Sequence, residues 1–243
     1  MGDGEWKTFC PMTRQHKKRS VWVCALVCLM QALSIATMHA QLVTGEQLME
    51  MKKRQFPTGT WSQIAAGIGS HIQLSADKAI VYSKVIEIPG KSREELYAAA
   101  SAWATDNFQG SACDIRMMDS NRGTIIVQGA VLDIFEHVGM QNVYTVSLKP
   151  VLRIDVKDGR ARIVFTLSHY NVYRLVKSGR LFEESQRNEE VWSVAQCYPF
   201  IRSDTHENAS SKALVVTHLC AVTWLKAVEH IAKEGYAPTD NDW

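Results

Sequence analysis

Hydrophobic and polar residues follow a regular pattern from residue 80 onward, where they predict a strand and then a helix. Ile80–Ile88 is rich in β-branched residues and stops at a Pro-Gly pair, as a strand commonly does. Ser92-Arg93-Glu94-Glu95 has the form of a capping box, in which the serine and the last glutamate satisfy backbone donors at a helix start. Apolar residues then recur at helical spacing until Gly110, which predicts that the helix ends there.

Four further strands are expected after this helix. They are Ala112–Asp119, Thr124–Leu132, Val143–Val156 and Arg160–Leu167. Asp158-Gly159 is the strongest turn signal in the chain, because both residues tolerate positive φ, and it predicts a hairpin between the last two strands. Pro150 lacks a backbone donor and therefore predicts a bulge or an edge position.

The C-terminal third contains an unpatterned stretch and a long helix. Residues 168–207 have no clean period, and because this is long for a loop without structure, we expect a short helix near Phe182–Val194. From Asn208 to Glu234 a broad apolar stripe recurs at helical spacing, and Gly235 is typical of a helix end.

The order of elements is therefore strand, helix, four antiparallel strands and long helix. An antiparallel sheet commonly buries one face, and both helices have an apolar stripe to bury. The sequence predicts an α+β fold, a two-layer sandwich with the helices on one side of a curved sheet. The expected division of the chain is a signal peptide at 1–40 (with Met12 as an alternative start), a flexible lead-in at 41–79 with a short helix at Glu46–Gln55 as one option, a domain at 80–235 with an insertion at 168–207, and a loose tail at 236–243.

Residues 1–40 have the three-part pattern of a secretory signal peptide. A basic block at 14–19 precedes the ten apolar residues Val21–Met30. A less hydrophobic stretch follows up to Ala40. We expect cleavage after Ala40, with Ala36 as the second candidate. The alternative is an uncleaved anchor in the inner membrane, although a spanning helix needs about 20 apolar residues. The sequence thus predicts a periplasmic or secreted protein that contacts the membrane only through its signal.

The charge balance argues against a nucleic-acid binder. Removing the five basic and two acidic residues of 1–40 from the totals of 27 and 25 leaves 22 basic and 23 acidic residues. Proteins that bind nucleic acid normally carry a cationic excess, because they displace counterions from phosphates. The exported body has no such excess, and we predict no nucleic-acid partner.

Several of these segments resemble a known family. Lys84-Val85-Ile86-Glu87-Ile88-Pro89-Gly90-Lys91-Ser92, which runs into Glu95-Leu96-Tyr97 and Trp103, is similar to the secreted Bacteroidetes domain of unknown function DUF4468. The D-G hairpin at Arg153–Arg162, with its basic residues, resembles the same family. The resemblance covers about residues 80–170 and implies a TBP-like fold. It implies no catalytic residues, because the family has no established activity.

The sequence contains no assembled catalytic or metal-binding motif. It lacks H-E-x-x-H, C-x-x-C and G-x-S-x-G, so we predict no catalytic residues, no metal and no cofactor. The polar run Asp204–Glu207 is more typical of a helix cap than of acid/base chemistry. Export would leave three cysteines, an odd number that permits at most one internal disulfide: Cys113, Cys197 and Cys220.

We therefore expect an exported, non-enzymatic binding or interaction module, with a possible protein partner in the cell envelope. One alternative is a hydrolase whose residues meet only in the fold. Another is a carrier that holds a small apolar ligand between the sheet and the C-terminal helix, since ligand pockets are largely hydrophobic. Phe165, Leu219 and Trp224 are the candidate ligand-binding residues, and the competing interpretation is that they simply fill the core.

Overall fold

The computed structural model describes residues 43–72, 74–108, 113–138, 142–176, 187–200 and 207–236. The predicted signal peptide, most of the polar run at 204–207 and all but the first residue of the predicted tail lie outside these ranges.

The described residues contain five helices and nine strands. In chain order they are α1 Gly45–Gln55, α2 Trp61–Gly69, β1 Ile80–Glu87, α3 Arg93–Asn107, β2 Asp114–Asp119, β3 Thr124–Gln128, β4 Val131–Val138, β5 Asn142–Leu148, β6 Val151–Lys157, β7 Arg160–Leu167, β8 His169–Val176, β9 Arg187–Ser193, α4 Val194–Cys197 and α5 Glu207–Glu234.

The strands form two antiparallel sheets. Sheet 1 has the order β1-β7-β6-β3-β2, and sheet 2 has the order β4-β5-β8-β9. All five strands of sheet 1 coincide with segments that the sequence predicts to be strands, apart from Lys157 at the end of β6. The α+β class, the antiparallel sheet and the long C-terminal helix are thus confirmed.

The prediction of a single sheet with four strands after the first helix is wrong. Two of those strands each join a strand of sheet 1 to a strand of sheet 2. The segment predicted at 124–132 bends at Gly129 between β3 and β4, and the segment predicted at 143–156 bends at Pro150 between β5 and β6. The Gly129 amide donates to the Pro150 carbonyl over 3.0 Å, so the two bends lie side by side.

The prediction of a short helix near Phe182–Val194 is also wrong for the described part of that segment. Residues Arg187–Ser193 form strand β9, which pairs with β8 from Leu175↔Arg187 to His169↔Ser193. Ser193 then caps the single turn of α4 at Val194–Cys197. Strand β8 follows β7 after only Ser168, and the chain thereby passes from sheet 1 to sheet 2.

Helices α3 and α5 pack against one face of sheet 1. Alternate residues of its strands point toward them and are buried, including Ile125, Ile154 and Ile163. Helix α3 contacts β2, β3 and β6, whereas α5 contacts β1 and β7 and also reaches β4 and β5 of sheet 2. The opposite face of sheet 1 carries the charged residues of β6 and β7 together with exposed apolar residues such as Val85.

The lead-in contains two capped helices. Helix α1 lies where the sequence offered a short helix at Glu46–Gln55, whereas α2 replaces a stretch that was expected to be a flexible connector. Thr44 and Thr60 each form a capping box, with Gln47 and Gln63 respectively. Helices α1 and α2 both contact α5, and α1 also contacts β4. Helix α5 is therefore enclosed by sheets and by helices, which explains why Leu214, Val215 and Leu219 are all fully buried.

Among the described residues, α5 has the length and apolar composition of a membrane-crossing helix. Its apolar side chains contribute to the core.

Candidate functional site

The three residues predicted to line an apolar pocket all lie in the core. Phe165 and Leu219 have no exposed surface, and Trp224 is 1% exposed. The Phe165 and Trp224 rings meet edge to face with centroids 5.6 Å apart, and Phe108 contacts the same indole at 5.4 Å. A ligand among these residues would have to displace packed aromatic rings.

Gly129 shows how closely the indole of Trp224 is surrounded. A Cβ atom at Gly129 would lie 2.1 Å from the Trp224 ring and 3.0 Å from the Phe108 ring. The residue at the bend between β3 and β4 therefore has no room for even a methyl group. This part of the interface between helix and sheet is filled by protein atoms.

A concave site lies instead on the opposite, open face of sheet 1. We name it the arginine groove, and its volume is about 480 Å³. Its charged residues are Arg122, Arg153, Asp155, Lys157, Arg160 and Arg162. Four uncharged residues complete its walls: Val85, Thr124, Val156 and Ala161.

Strand alternation brings these side chains to one face. In β6 the residues Arg153, Asp155 and Lys157 alternate with buried Leu152, Ile154 and Val156. The pairing of β6 with β7 then sets Asp155 opposite Arg162 and Lys157 opposite Arg160. On the other side, Asp155 lies opposite Thr124 of β3.

Asp155 is the anchor of the groove. Its carboxylate accepts a hydrogen bond from Thr124 Oγ1 at 3.0 Å, from Arg153 Nε at 2.9 Å and from Arg162 Nη2 at 2.7 Å. Burial by itself would raise the pKa of Asp155, but the hydrogen bonds from Arg162, Arg153 and Thr124 outweigh it and hold the pKa below its usual value. The carboxylate stays ionised and fixes the position of both guanidinium groups.

The groove retains an excess of positive charge. The Asp155 side chain is only 16% exposed, whereas those of Arg153 and Arg162 are 48% and 54% exposed. Lys157 and Arg160 form no ion pair with any described residue, and Arg122 has only a long contact of 3.6 Å to Asp119. Five cations thus share one internal carboxylate, which leaves guanidinium and ammonium donors directed at solvent.

The described residues do not bring together a catalytic triad. Tyr82 Oη lies 3.0 Å from His218 Nδ1, and Ser168 Oγ lies 2.9 Å from His169 Nδ1. No carboxylate within the described ranges hydrogen bonds to either histidine, whereas a hydroxyl–histidine pair in a hydrolase is normally oriented by a third group. The same ranges contain no group of three or more His, Cys, Asp or Glu residues placed to hold a metal ion.

Comparison with known proteins agrees with the resemblance seen in the sequence. Residues 82–171 match the family model of DUF4468, a domain of unknown function with a TBP-like fold. All ten residues that line the arginine groove lie inside this DUF4468 match. No curated protein gives a significant match.

Two solved structures are similar to this chain. A TBP-like protein from Parabacteroides distasonis ATCC 8503 is 18% identical, with 68% of this chain and 99% of that chain covered and a TM-score of 0.46. A DUF4468 family protein from Bacteroides ovatus ATCC 8483 is 14% identical, with 70% and 93% covered and a TM-score of 0.43.

Proposed function

We propose that this protein is a non-enzymatic binding module of the cell envelope whose arginine groove holds an anionic group of its ligand. The observation that carries the proposal is the geometry around Asp155, where one carboxylate positions two arginines side by side on an open sheet face.

The chemistry of the groove favours a carboxylate or phosphate group. Guanidinium groups present planar forks of N–H donors that match these anions and can bind them through two parallel hydrogen bonds. Arg153 and Arg162 each use the Nε side of the guanidinium on Asp155, so other donors of each group remain available to a ligand. Preorganised side chains lose less entropy on binding, which raises affinity.

A compact anion fits the groove better than a nucleic-acid backbone does. The volume of about 480 Å³ is within the usual range for small-molecule sites. Beyond residue 40 the chain has 22 basic and 23 acidic residues, so the positive potential is local to the groove. A long polyanion would also meet negative charge outside it.

The cellular location in this proposal rests on the sequence of residues 1–40. A basic block, an apolar stretch and a small residue at Ala40 are typical of export, so the groove would face the periplasm or the exterior. The ligand is then an anionic metabolite or an acidic segment of an envelope partner, and a titration with a small anion detects the chemistry that both share.

The test is calorimetric titration of the exported chain with citrate and with inorganic pyrophosphate. The double variant Arg153→Gln/Arg162→Gln removes two charge-assisted hydrogen bonds. For whichever of the two anions binds the wild-type chain with higher affinity, it should weaken binding at least about tenfold. The matched control is Lys149→Gln/Lys226→Gln, which removes the same charge from exposed positions elsewhere and should change affinity less than about threefold.

Two outcomes would contradict the proposal. One is that neither anion binds the wild-type chain, and the other is that both double variants weaken binding equally. Unfolding curves of the variants show whether each is folded, since Asp155 loses two partners in the arginine variant.

A further inference from the structure

A second concave site lies between α2, β1 and α5, away from the arginine groove. Its volume is about 440 Å³. Its lining residues are Phe56, Gln63, Ile64, Gly67, Ile68, His71, Ile72, Tyr82 and His218. We name it the Tyr82 pocket, because its polar floor is formed around that residue.

The walls of the Tyr82 pocket are apolar and uncharged. Phe56, Ile64, Ile68 and Ile72 come from α2 and the segments that flank it, and none of the nine lining residues is Asp, Glu, Lys or Arg. A charged ligand would lose its hydration there without gaining an ionic partner, which is costly. The pocket therefore selects for neutral molecules.

Four of the nine lining residues are polar, and two of them, Tyr82 and His218, form a hydrogen-bonded pair. Tyr82 Oη and His218 Nδ1 are 3.0 Å apart, and the two rings are in contact with centroids 5.6 Å apart. Phe165 packs edge to face on the other side of the Tyr82 ring at 6.2 Å, so the phenol has a fixed position. Burial lowers the pKa of His218, which keeps its imidazole neutral and able to exchange a hydrogen bond with the phenol at neutral pH.

Gly67 leaves space at the side of the pocket. A Cβ atom at this position would have no heavy atom within 4 Å, although the residue lies inside helix α2. Glycine is unfavourable in a helix interior by roughly 0.5–1 kcal/mol relative to alanine. Gly67 is exposed and lines the pocket, so a larger side chain can be introduced at its edge without a clash.

We propose that the Tyr82 pocket binds a small neutral, mainly apolar molecule whose single hydroxyl or carbonyl group hydrogen bonds to the Tyr82–His218 pair. A polar group on an apolar ligand sets its orientation in such pockets. This site is independent of the arginine groove, and most of its lining lies outside residues 82–171.

The test compares 1-naphthol with naphthalene, which has the same rings but no hydroxyl group. Fluorescence titration of the wild-type chain should show tighter binding of 1-naphthol, by about twofold to tenfold for one net hydrogen bond. Tyr82→Phe keeps the aromatic ring and should remove this preference while naphthalene affinity stays within about twofold.

Gly67→Phe tests the location of the site, because it adds a large ring to a residue that lines the pocket. It should weaken binding of both compounds at least about tenfold, whereas Gly67→Ala is the matched control and should change affinity less than about threefold. In the wild-type chain, 1-naphthol should shift the backbone amide signals of Gly67 and Ile68 and leave that of Arg162 unchanged. This measurement needs no variant to fold.

The proposal would be overturned by wild-type binding that is equal for the two compounds, by the absence of binding, or by unchanged affinity in a folded Gly67→Phe variant. Amide shifts confined to other parts of the chain would overturn it as well. The naphthol experiments do not involve the arginine groove, and the citrate and pyrophosphate titrations do not involve the Tyr82 pocket. Either proposal can therefore be contradicted while the other stands.

Discussion

Two glycines, one buried in the core and one exposed on α2, differ in whether a side chain has room at their positions. Gly129 and Gly67 are both glycines without positive φ, yet their surroundings are opposite. At Gly129 the backbone passes against the rings of Trp224 and Phe108, while at Gly67 the position beside the helix is empty. Only the first glycine is required by packing, because protein interiors are as dense as organic crystals.

Replacing Gly129 should therefore destabilise the protein. In Gly129→Ala the new methyl group would lie 2.1 Å from a Trp224 ring atom, so the indole has to move and lose its contacts with Phe108 and Phe165. Overpacking of this kind typically costs about 1–3 kcal/mol of unfolding free energy. Urea denaturation followed by tryptophan fluorescence measures it.

Gly67→Ala provides the control for this prediction, because it adds the same methyl group to open space. We expect that variant to be neutral or more stable by up to about 1 kcal/mol. Equal stability of Gly129→Ala and the wild type would show that the Trp224 ring shifts without cost and that this part of the core is loosely packed.

The residues of the arginine groove show what a sequence can and cannot indicate about a site. The alternation of Arg153, Asp155 and Lys157 with apolar residues already predicts that they share one face of a strand. The partnership of Asp155 with Arg162 and Thr124 depends on the registers of two strand pairs, which a single sequence does not specify. For this reason Phe165, Leu219 and Trp224 were the candidates instead.

At the level of elements, sheet 1 was predictable and sheet 2 was not. The apolar pattern continues through the bends at Gly129 and Pro150, since buried residues such as Val127, Val131, Leu148 and Leu152 flank them on both sides. The polar residues beside the bends, Gln128 and Lys149, are single ones, and single polar residues also occur inside a strand with one exposed face. Pro150 was a local signal, but it indicates an interruption of pairing and does not say where the chain goes next.

Helices α1 and α2 did have a signal in the sequence. Thr44-x-x-Gln47 and Thr60-x-x-Gln63 both have the capping-box spacing that identified α3 at Ser92. The glycines at 67 and 69 obscured it, because they lower helix propensity and suggested a connector. Packing against α5 stabilises α2 despite the low helix propensity of its glycines.

An ionic cluster links β1 to the last turns of α5 and gives a pH-dependent prediction. Glu229 accepts hydrogen bonds from Lys84 of β1 at 2.5 Å and from Lys233 at 2.9 Å. These bonds lower the pKa of Glu229 from its ordinary value of 4.5 to about 2. A carboxylate with a depressed pKa stabilises the fold above its unfolded pKa and loses that contribution as the pH falls toward its folded pKa.

Glu229→Gln should therefore lower stability at pH 7 by less than about 1 kcal/mol, since the pair is at the surface and is screened by solvent. The difference from the wild type should shrink as the pH falls from 4.5 toward 2 and should be smaller in 1 M salt, the pH limits being the reference and folded pKa values. Thermal unfolding of both chains across this range tests it. A difference that is constant down to pH 2 would show that Glu229 acts through packing and not through its charge.

On the scale of the whole molecule, the segment that matches DUF4468 is only part of the folded chain. Residues 82–171 include β2 to β7 and α3, whereas α1, α2 and α5 lie outside the match. The arginine groove belongs to the matched part, whereas the Tyr82 pocket is built mainly by α2 and the segments that flank it, which lie outside the match. Binding experiments on the two proposed sites therefore probe different parts of the chain.

Export is the prediction that concerns the chain as a whole, and the position of the cut can be checked against the fold. One compact unit comprises Ala40–Trp243, with Val43 buried and α1 starting at Gly45 behind its Thr44 cap. Cleavage after Ala40 would leave every described helix and strand intact.

Mass spectrometry of the protein recovered from the envelope of a Bacteroidetes host should therefore find an N-terminus at Gln41. Ala40→Leu should block this cut, because signal peptidases require a small residue before the cleaved bond. The matched control Ala36→Leu should leave it unchanged, since it lies outside the immediate cleavage position. An intact N-terminus at Met1 or Met12 in the membrane fraction would instead support an anchored protein, and cleavage lost only in Ala36→Leu would place the cut at the second candidate.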